Sequence, residues 1–177
     1  LKKLPTKRHP ECPFFAATNA VGVDKLEYVD YQSENYRTPR GTLMNIQSYQ
    51  DLITAAKQQH EPQRLLLVFA KAELPNGYTE SQHNNFLRGE GGTLNPVLCV
   101  DKLPDEISEF ETLRAESEKT GFDWDIAFVS SLAGRGGFAP NSDEAEQPLK
   151  MMLAKIQSGM IADFLTFNRS GELVALL

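Results

Sequence analysis

Three short apolar runs, separated by segments of helical period, constrain the fold of this 177-residue chain. The runs span residues 64–72, 96–101 and 124–132. Each is too short for a long helix and is rich in the residues that buried strands favour. The first run is apolar at nearly every position, as expected for a central strand with both sheet faces covered. The pattern predicts an α/β fold, with a mixed sheet and helices packed on its faces.

Helix signals lie between these runs. Ser48 with Asp51 predicts the start of one helix, and Thr79 with Gln82 predicts a second, short helix through the same kind of capping box. Pro104 fits the first position of a third helix, because a proline there forfeits no helical hydrogen bond.

The C-terminal part of the sequence predicts a fourth helix followed by a β-hairpin. Pro148 is expected near the start of that helix and Gly159 at its end. Residues 162–177 form two strand-like segments joined by a turn at 168–171, which predicts the hairpin. The core is expected to contain Leu67, Phe69, Val97, Cys99, Ile126, Phe128, Leu153, Ile156 and Phe164.

The first 43 residues differ in charge from the rest of the protein. They carry seven Lys or Arg against five Asp or Glu, whereas residues 44–177 carry eleven against nineteen. Proline interrupts the opening segment, and clear apolar periodicity begins only after Met44. We therefore predict that residues 1–43 are an N-terminal appendage and that 44–177 form a single α/β domain.

Bulk composition restricts the partners and the compartment. A net charge of −6 gives no general electrostatic support for nucleic-acid binding, so no nucleic-acid partner is expected. The apolar stretches fall far short of the roughly 20 residues that span a bilayer, so no membrane partner is expected either. Cys12 and Cys99 are too few for a disulfide framework. These features favour a soluble, cytoplasmic protein with reduced thiols.

The glycine-rich loop 133–144 is the best candidate for a ligand site. Its glycines would let backbone amides turn toward an anion, and Arg135 could pair with a phosphate or a carboxylate. If the strands are parallel, Glu73 and the polar ends of the next two strands share one rim with this loop. The candidate ligand-binding residues are Asp101, Lys102, Ser130, Ser131, Gly134, Arg135, Gly136 and Gly137.

Each of these candidates also has a structural interpretation. Neither of the two common phosphate-loop patterns is present, so the glycines of the loop could equally serve tight turns alone. Asp101 and Lys102 could act together in proton transfer, or they could form a solvated strand end.

No catalytic or metal-binding constellation accompanies the loop. The histidines lie far in sequence from Ser130 and Ser131, so no catalytic triad is indicated. His9 and Cys12 are two ligands, where a structural zinc site needs four, so we predict neither a metal nor a cofactor. Cys99 is interpreted as a small core residue.

Four segments of the region after Met44 resemble a family of small bacterial proteins that are often labelled ribonucleotide reductase subunit alpha. The segments are QHEPQRLLLVFAKAELP, EGGTLNPVLCVDKLPDE, GFDWDIAFVSSLAGRGG and FLTFNRSGELV. The resemblance implies a small bacterial protein and supplies no catalytic residues. Residues 44–177 hold one cysteine, Cys99, which cannot supply both a dithiol and a radical thiol, so we predict no reductase activity.

Two functional hypotheses follow from the sequence. The first is a non-enzymatic binding or regulatory module that meets a protein or a small ligand through its rim or a sheet edge, because no acid, base and nucleophile converge in the sequence. The second is an enzyme or sensor for a small anionic ligand or a nucleotide, held by Arg135 and the neighbouring glycine amides.

Overall fold

The computed structural model describes residues 46–88 and 91–176 in full, and the backbone of four short strands between residues 21 and 44. The elements, in sequence order, are β1 (Val21–Val23), β2 (Leu26–Glu27), β3 (Tyr36–Arg37), β4 (Leu43–Met44), α1 (Tyr49–Lys57), β5 (Gln63–Glu73), α2 (Glu80–Leu87), β6 (Gly92–Lys102), α3 (Phe110–Glu118), β7 (Ile126–Ala133), α4 (Ser142–Gln157), β8 (Leu165–Asn168) and β9 (Ala175–Leu176).

The main sheet has the strand order β1-β6-β5-β7-β8, and every described pairing in it is antiparallel. Strand β5 lies in the middle, and residues 65–70 are all buried. Its continuous apolar sequence follows from this position, because both faces of the strand are covered. The predicted α/β fold with helices packed on the faces of a sheet is confirmed, but the prediction of a mixed sheet is wrong, because every described pairing in it is antiparallel.

Two hydrophobic clusters lie on opposite faces of the sheet. Alternate residues of β5 divide between them, since successive strand residues point to opposite faces. Leu65, Leu67 and Phe69 join the cluster that includes α1 and Leu113 of α3, whereas Leu66 and Val68 join the cluster that includes α4. Seven of the nine predicted core residues are buried, and Val97 and Phe164 are half-buried at the margins of the two clusters.

Helix starts depend on local capping. Ser48 caps α1 by accepting a hydrogen bond from the backbone of Asp51, and Thr79 and Gln82 form the predicted capping box of α2. Helix α3 begins at Phe110, later than Pro104, because residues 104–107 form a turn.

Proline within α4 departs from the sequence prediction. The helix starts at Ser142, where Asn141 and Glu144 form a capping box, so Pro148 lies well inside it. A proline at that position removes one backbone donor from the helix. Leu149, Met152, Leu153 and Ile156 are buried, and packing of this apolar face stabilises the helix despite the lost hydrogen bond.

The C-terminal hairpin is partly realised. After β8 the backbone turns tightly, with Gly171 at φ 81°, and Phe167 forms a β-bridge with Leu173. Beyond that bridge, β9 pairs with β2. A side chain at position 171 would meet the ring of Phe110 at 2.7 Å, so glycine serves both the turn and the packing there.

Cys99 is buried and disulfide-bonded. The only other cysteine of the sequence, Cys12, lies outside the described residues. The expectation of a reduced thiol is therefore wrong for Cys99. Burial in an apolar strand could not reveal this, because a thiol and a disulfide sulfur both pack well in a core. Among the described residues, no helix has the length and apolar character needed to cross a membrane.

Candidate functional site

The C-terminal ends of β6 and β7 lie at the same end of the sheet. Both strands are antiparallel to β5, which separates them, so they run in the same direction. Leu66 pairs with Asp101 on one side and with Ser130 on the other. We call the end of the sheet that holds Asp101 and Ser130 the site end. Lys102 and Ser131 are the next residues of their strands and also lie there.

Glu73 lies at the opposite end of the sheet, where it pairs with Thr93 at the start of β6. Its predicted place on the same rim is wrong because that prediction assumed parallel strands. In an antiparallel sheet the carboxyl end of one strand adjoins the amino end of its neighbour.

The sheet separates Asp101 from Lys102. Asp101 shares the α4 face with Cys99, two residues earlier, while Lys102 points to the opposite face, toward α3. Both residues are buried, at 5% exposure each, so the solvated-strand-end interpretation is wrong. They are also not placed to exchange a proton with each other, because they lie on opposite faces and each forms an ion pair with a different residue, Asp101 with Arg64 and Lys102 with Glu116.

Asp101 belongs to a buried polar cluster that joins β5, β6 and the start of α4. Its Oδ2 accepts hydrogen bonds from Arg64 Nη1 at 2.5 Å and from Ser142 Oγ at 2.8 Å. The Asp101 side chain is 1% exposed and that of Arg64 is 12% exposed. Arg64 Nε also donates to the carbonyl of Pro140 at 2.5 Å. The cluster therefore fixes the segment entering α4 to the sheet.

Lys102 is held by a separate ion pair. Its Nζ lies 2.7 Å from Glu116 Oε2 on α3, and its side chain is only 6% exposed. Ser130 is half-buried on the α4 face, opposite Leu66, whereas Ser131 is exposed on the other face. The four polar residues thus lie at the same end of the sheet, but β5 separates the two pairs, and each pair divides between the two faces of the sheet.

The glycine loop begins with a close backbone contact. The N–H of Gly134 donates to the carbonyl of Pro62 at 2.8 Å. A Cβ at position 134 would lie 1.9 Å from the carbonyl oxygen of Phe138 and 2.9 Å from that of Pro62, so only glycine fits. Gly134 therefore serves the packing of the loop against the segment before β5.

Residues 135–138 form a tight two-residue turn. Arg135 and Phe138 exchange backbone hydrogen bonds of 3.1 and 3.2 Å, and Gly136 and Gly137 have φ values of 60° and 83°. Positive φ at both central residues is the pattern of a type I′ turn, which glycine adopts without strain. We call residues 135–138 the 135–138 turn.

A carboxylate of the protein itself accepts a hydrogen bond from one of the backbone amides of this turn. The N–H of Gly137 donates to Glu61 Oε2 at 2.8 Å. The amides of Gly134, Arg135 and Phe138 also have internal backbone acceptors. Backbone amides that the sequence predicted to face a ligand are thus engaged in folding the loop.

The side chains of the 135–138 turn face solvent. Phe138 is 80% exposed, the highest value among the large apolar residues that the structure describes, and Arg135 is also exposed. Their backbone is fixed by the hydrogen bonds of the turn, so a cation and an aromatic ring are presented on a rigid support. Sequence reasoning identified Arg135 and missed Phe138, because an isolated aromatic residue usually signals burial.

Glu61 and Arg64 were also missed by sequence reasoning. Glu61 sits in a loop with no motif around it, and Arg64 opens an apolar strand run. The one available signal was a charged residue, Arg64, at the start of an apolar strand run. A buried arginine requires an acidic partner, so the sequence could have indicated an ion pair at this position.

A second polar cluster lies at the opposite end of the sheet. Asp123 accepts hydrogen bonds from Lys71 and Arg169, which lower its carboxyl pKa, and the bond to Asp123 raises the pKa of Lys71. The Arg169 guanidinium also lies 5.7 Å from the centre of the Trp124 ring. Asp123 is exposed, whereas Lys71 and Arg169 are half-buried, and the three groups form an ion network at the surface with Arg169 beside the indole.

No group of three or more potential metal ligands occurs among the described residues. Comparison of the sequence and structure with known protein families, curated proteins and solved structures gives no match. The family resemblance and the ligand-binding role of the eight candidate residues therefore stay predictions.

Proposed function

We propose that this protein is a non-enzymatic binding module that contacts a protein partner through the 135–138 turn. Phe138 supplies the apolar contact and Arg135 the charged one. The observation that carries the proposal is the 80% exposure of Phe138 on a backbone whose hydrogen bonds are already made. A rigid aromatic anchor loses little conformational entropy on binding, and aromatic and arginine side chains dominate protein interfaces.

The same geometry weighs against the small-anion alternative. Glu61 already holds the Gly137 amide at 2.8 Å, so an anion would have to displace a carboxylate and then lie beside its negative charge. Arg135 alone remains as an exposed cation of the turn. One guanidinium pairs readily with an acidic side chain at a protein interface, which supports a partner with an apolar recess next to a carboxylate.

Binding should depend mainly on Phe138. Complete burial of a phenylalanine contributes about 2 kcal/mol, so Phe138→Ala should weaken partner binding roughly thirtyfold. Met151 on α4 is a matched control, because it is apolar and 58% exposed at a different site. Met151→Ala should leave the affinity unchanged. Arg135→Gln should weaken binding less than Phe138→Ala and make it less sensitive to salt.

The experiment begins by photo-crosslinking from position 138 in the full-length protein to identify the partner. The dissociation constants of the purified partner for wild type and the three variants are then measured by calorimetry. In parallel, thermal shifts with inorganic phosphate and nucleotides test the alternative. The proposal is overturned if Phe138→Ala binds the partner like wild type, or if phosphate stabilises the protein in a manner that Arg135→Gln abolishes and Phe138→Ala does not.

A further inference from the structure

The turn between β5 and α2 contains the one Asn-Gly pair of the sequence, Asn76-Gly77. Both residues are exposed. Gly77 has φ 76°, and a Cβ built there would meet nothing within 4 Å. The peptide bond between the two residues therefore lies in open space, with no side chain on the following residue to shield it.

The Asn76 side chain is also unrestrained. It makes no hydrogen bond within the part of the protein that the structure describes. Asn141 and Asn168 differ in this respect. Asn141 Oδ1 accepts from the backbone of Glu144, and Asn168 Oδ1 accepts from the backbone of Ser170 and Glu172.

We propose that Asn76 is a site of spontaneous deamidation. Solvent hydroxide removes the proton from the Gly77 amide nitrogen, which attacks the carbonyl carbon of the Asn76 carboxamide. The new C–N bond closes a five-membered succinimide, and the original C–N bond of the carboxamide breaks as its nitrogen takes a proton from water and leaves as ammonia, which regenerates hydroxide. Water then adds to either succinimide carbonyl, the bond from that carbonyl carbon to the ring nitrogen breaks, and the ring opens to aspartate or isoaspartate.

Exposure and the missing Cβ of Gly77 favour this step. Ring closure requires the backbone at Asn76 to rotate until the nitrogen reaches the carboxamide, and glycine offers the least resistance to that movement. Asn95 cannot react in the same way, because the next residue, Pro96, carries no N–H.

The product changes the turn that leads into α2. It adds a negative charge, and in the isoaspartate form one extra backbone carbon, just before the Thr79 cap. None of the residues of α2 is buried. The structural effect is therefore confined to the turn and α2, and the buried strand β5 keeps its packing.

The full-length protein is incubated in mildly alkaline buffer, digested with trypsin and analysed by mass spectrometry with fragmentation. Cleavage after Lys71 and Arg88 releases peptide 72–88, in which Asn84 and Asn85 serve as internal controls. Asn76 should convert at least roughly tenfold faster than either control, equivalent to a barrier difference of about 1.4 kcal/mol. Isoaspartate should be present among the products, and the rate should rise with pH.

Two variants and one condition complete the test. Gly77→Ala should slow conversion of Asn76 strongly, and Asn76→Gln should abolish the product at this position. The same protein unfolded in urea should convert Asn76 at a rate similar to that of the native protein, because the native turn leaves the pair open. The proposal is overturned if Asn76 converts no faster than Asn84 or Asn85, or if folding slows its conversion more than roughly tenfold.

Discussion

Replacing Asp101 with asparagine should destabilise the protein by about 3 kcal/mol. The substitution keeps the shape of the side chain, so it creates no cavity. It removes the negative charge that accepts hydrogen bonds from Arg64 and Ser142 at 2.5 and 2.8 Å. Breaking one partner of a buried ion pair costs about 3–5 kcal/mol, and the 12% exposure of Arg64 lets water relieve part of that loss, which places the expected value at the low end.

The measurement is urea unfolding of wild type and Asp101→Asn at neutral pH, with equal m-values as evidence that the two unfold alike. Asp105→Asn is the matched control, because Asp105 pairs with Lys57 at 2.8 Å but is 89% exposed. It should cost less than about 1 kcal/mol.

A double variant separates the effect of an unpaired buried charge on stability from the effect of side-chain packing at this site. Arg64→Met with Asp101→Leu removes both charges, and it should be less destabilised than Asp101→Asn alone. The interpretation of Asp101 as a structural anchor is refuted if Asp101→Asn is as stable as Asp105→Asn. A gain in stability would instead indicate a residue kept for function at the expense of stability.

Three further predictions concern the core, the sulfur chemistry and the domain boundary. Phe128→Ala, at a residue of β7 with 0% exposure in the cluster that includes α4, should lose about 3–5 kcal/mol in urea unfolding, and a loss below about 1 kcal/mol would show that β7 is peripheral. In denatured protein that has not been reduced, Cys99 should resist alkylation because its sulfur is in a disulfide. Alkylation of Cys99 would show a free thiol and would again favour a reduced compartment. Residues 44–177 expressed alone should unfold cooperatively, and loss of cooperativity in this fragment only would show that 1–43 complete the core.

The strands could be predicted from the sequence, but their directions could not. The apolar run 64–72 identified β5, because continuous burial on two faces leaves a continuous apolar pattern. Whether β6 runs parallel or antiparallel to β5 depends on contacts between Leu66 and Asp101, which are far apart in sequence. Local periodicity holds no information on such pairing, and Glu73 was misplaced for that reason.

The candidate site was predicted in outline only. Glycines at 134, 136 and 137 correctly indicated a sharply turning loop, since positive φ and close backbone approach both require glycine. The acceptors of the loop amides could not be foreseen. Pro62 and Glu61 belong to the segment before β5, and they approach the loop only because β5 and β7 pair along their length.

Amide hydrogen exchange at the 135–138 turn, followed residue by residue by NMR, tests the central claim that this turn is a pre-formed contact element with internally paired amides. The amides of Gly137 and Phe138 should exchange at least roughly tenfold more slowly than in an unstructured peptide. Glu61→Ala should remove the protection of Gly137 and leave that of Phe138 largely in place. Exchange of both wild-type amides at the unstructured rate would contradict the account, because Phe138 would then lack the rigid support from which its role is inferred.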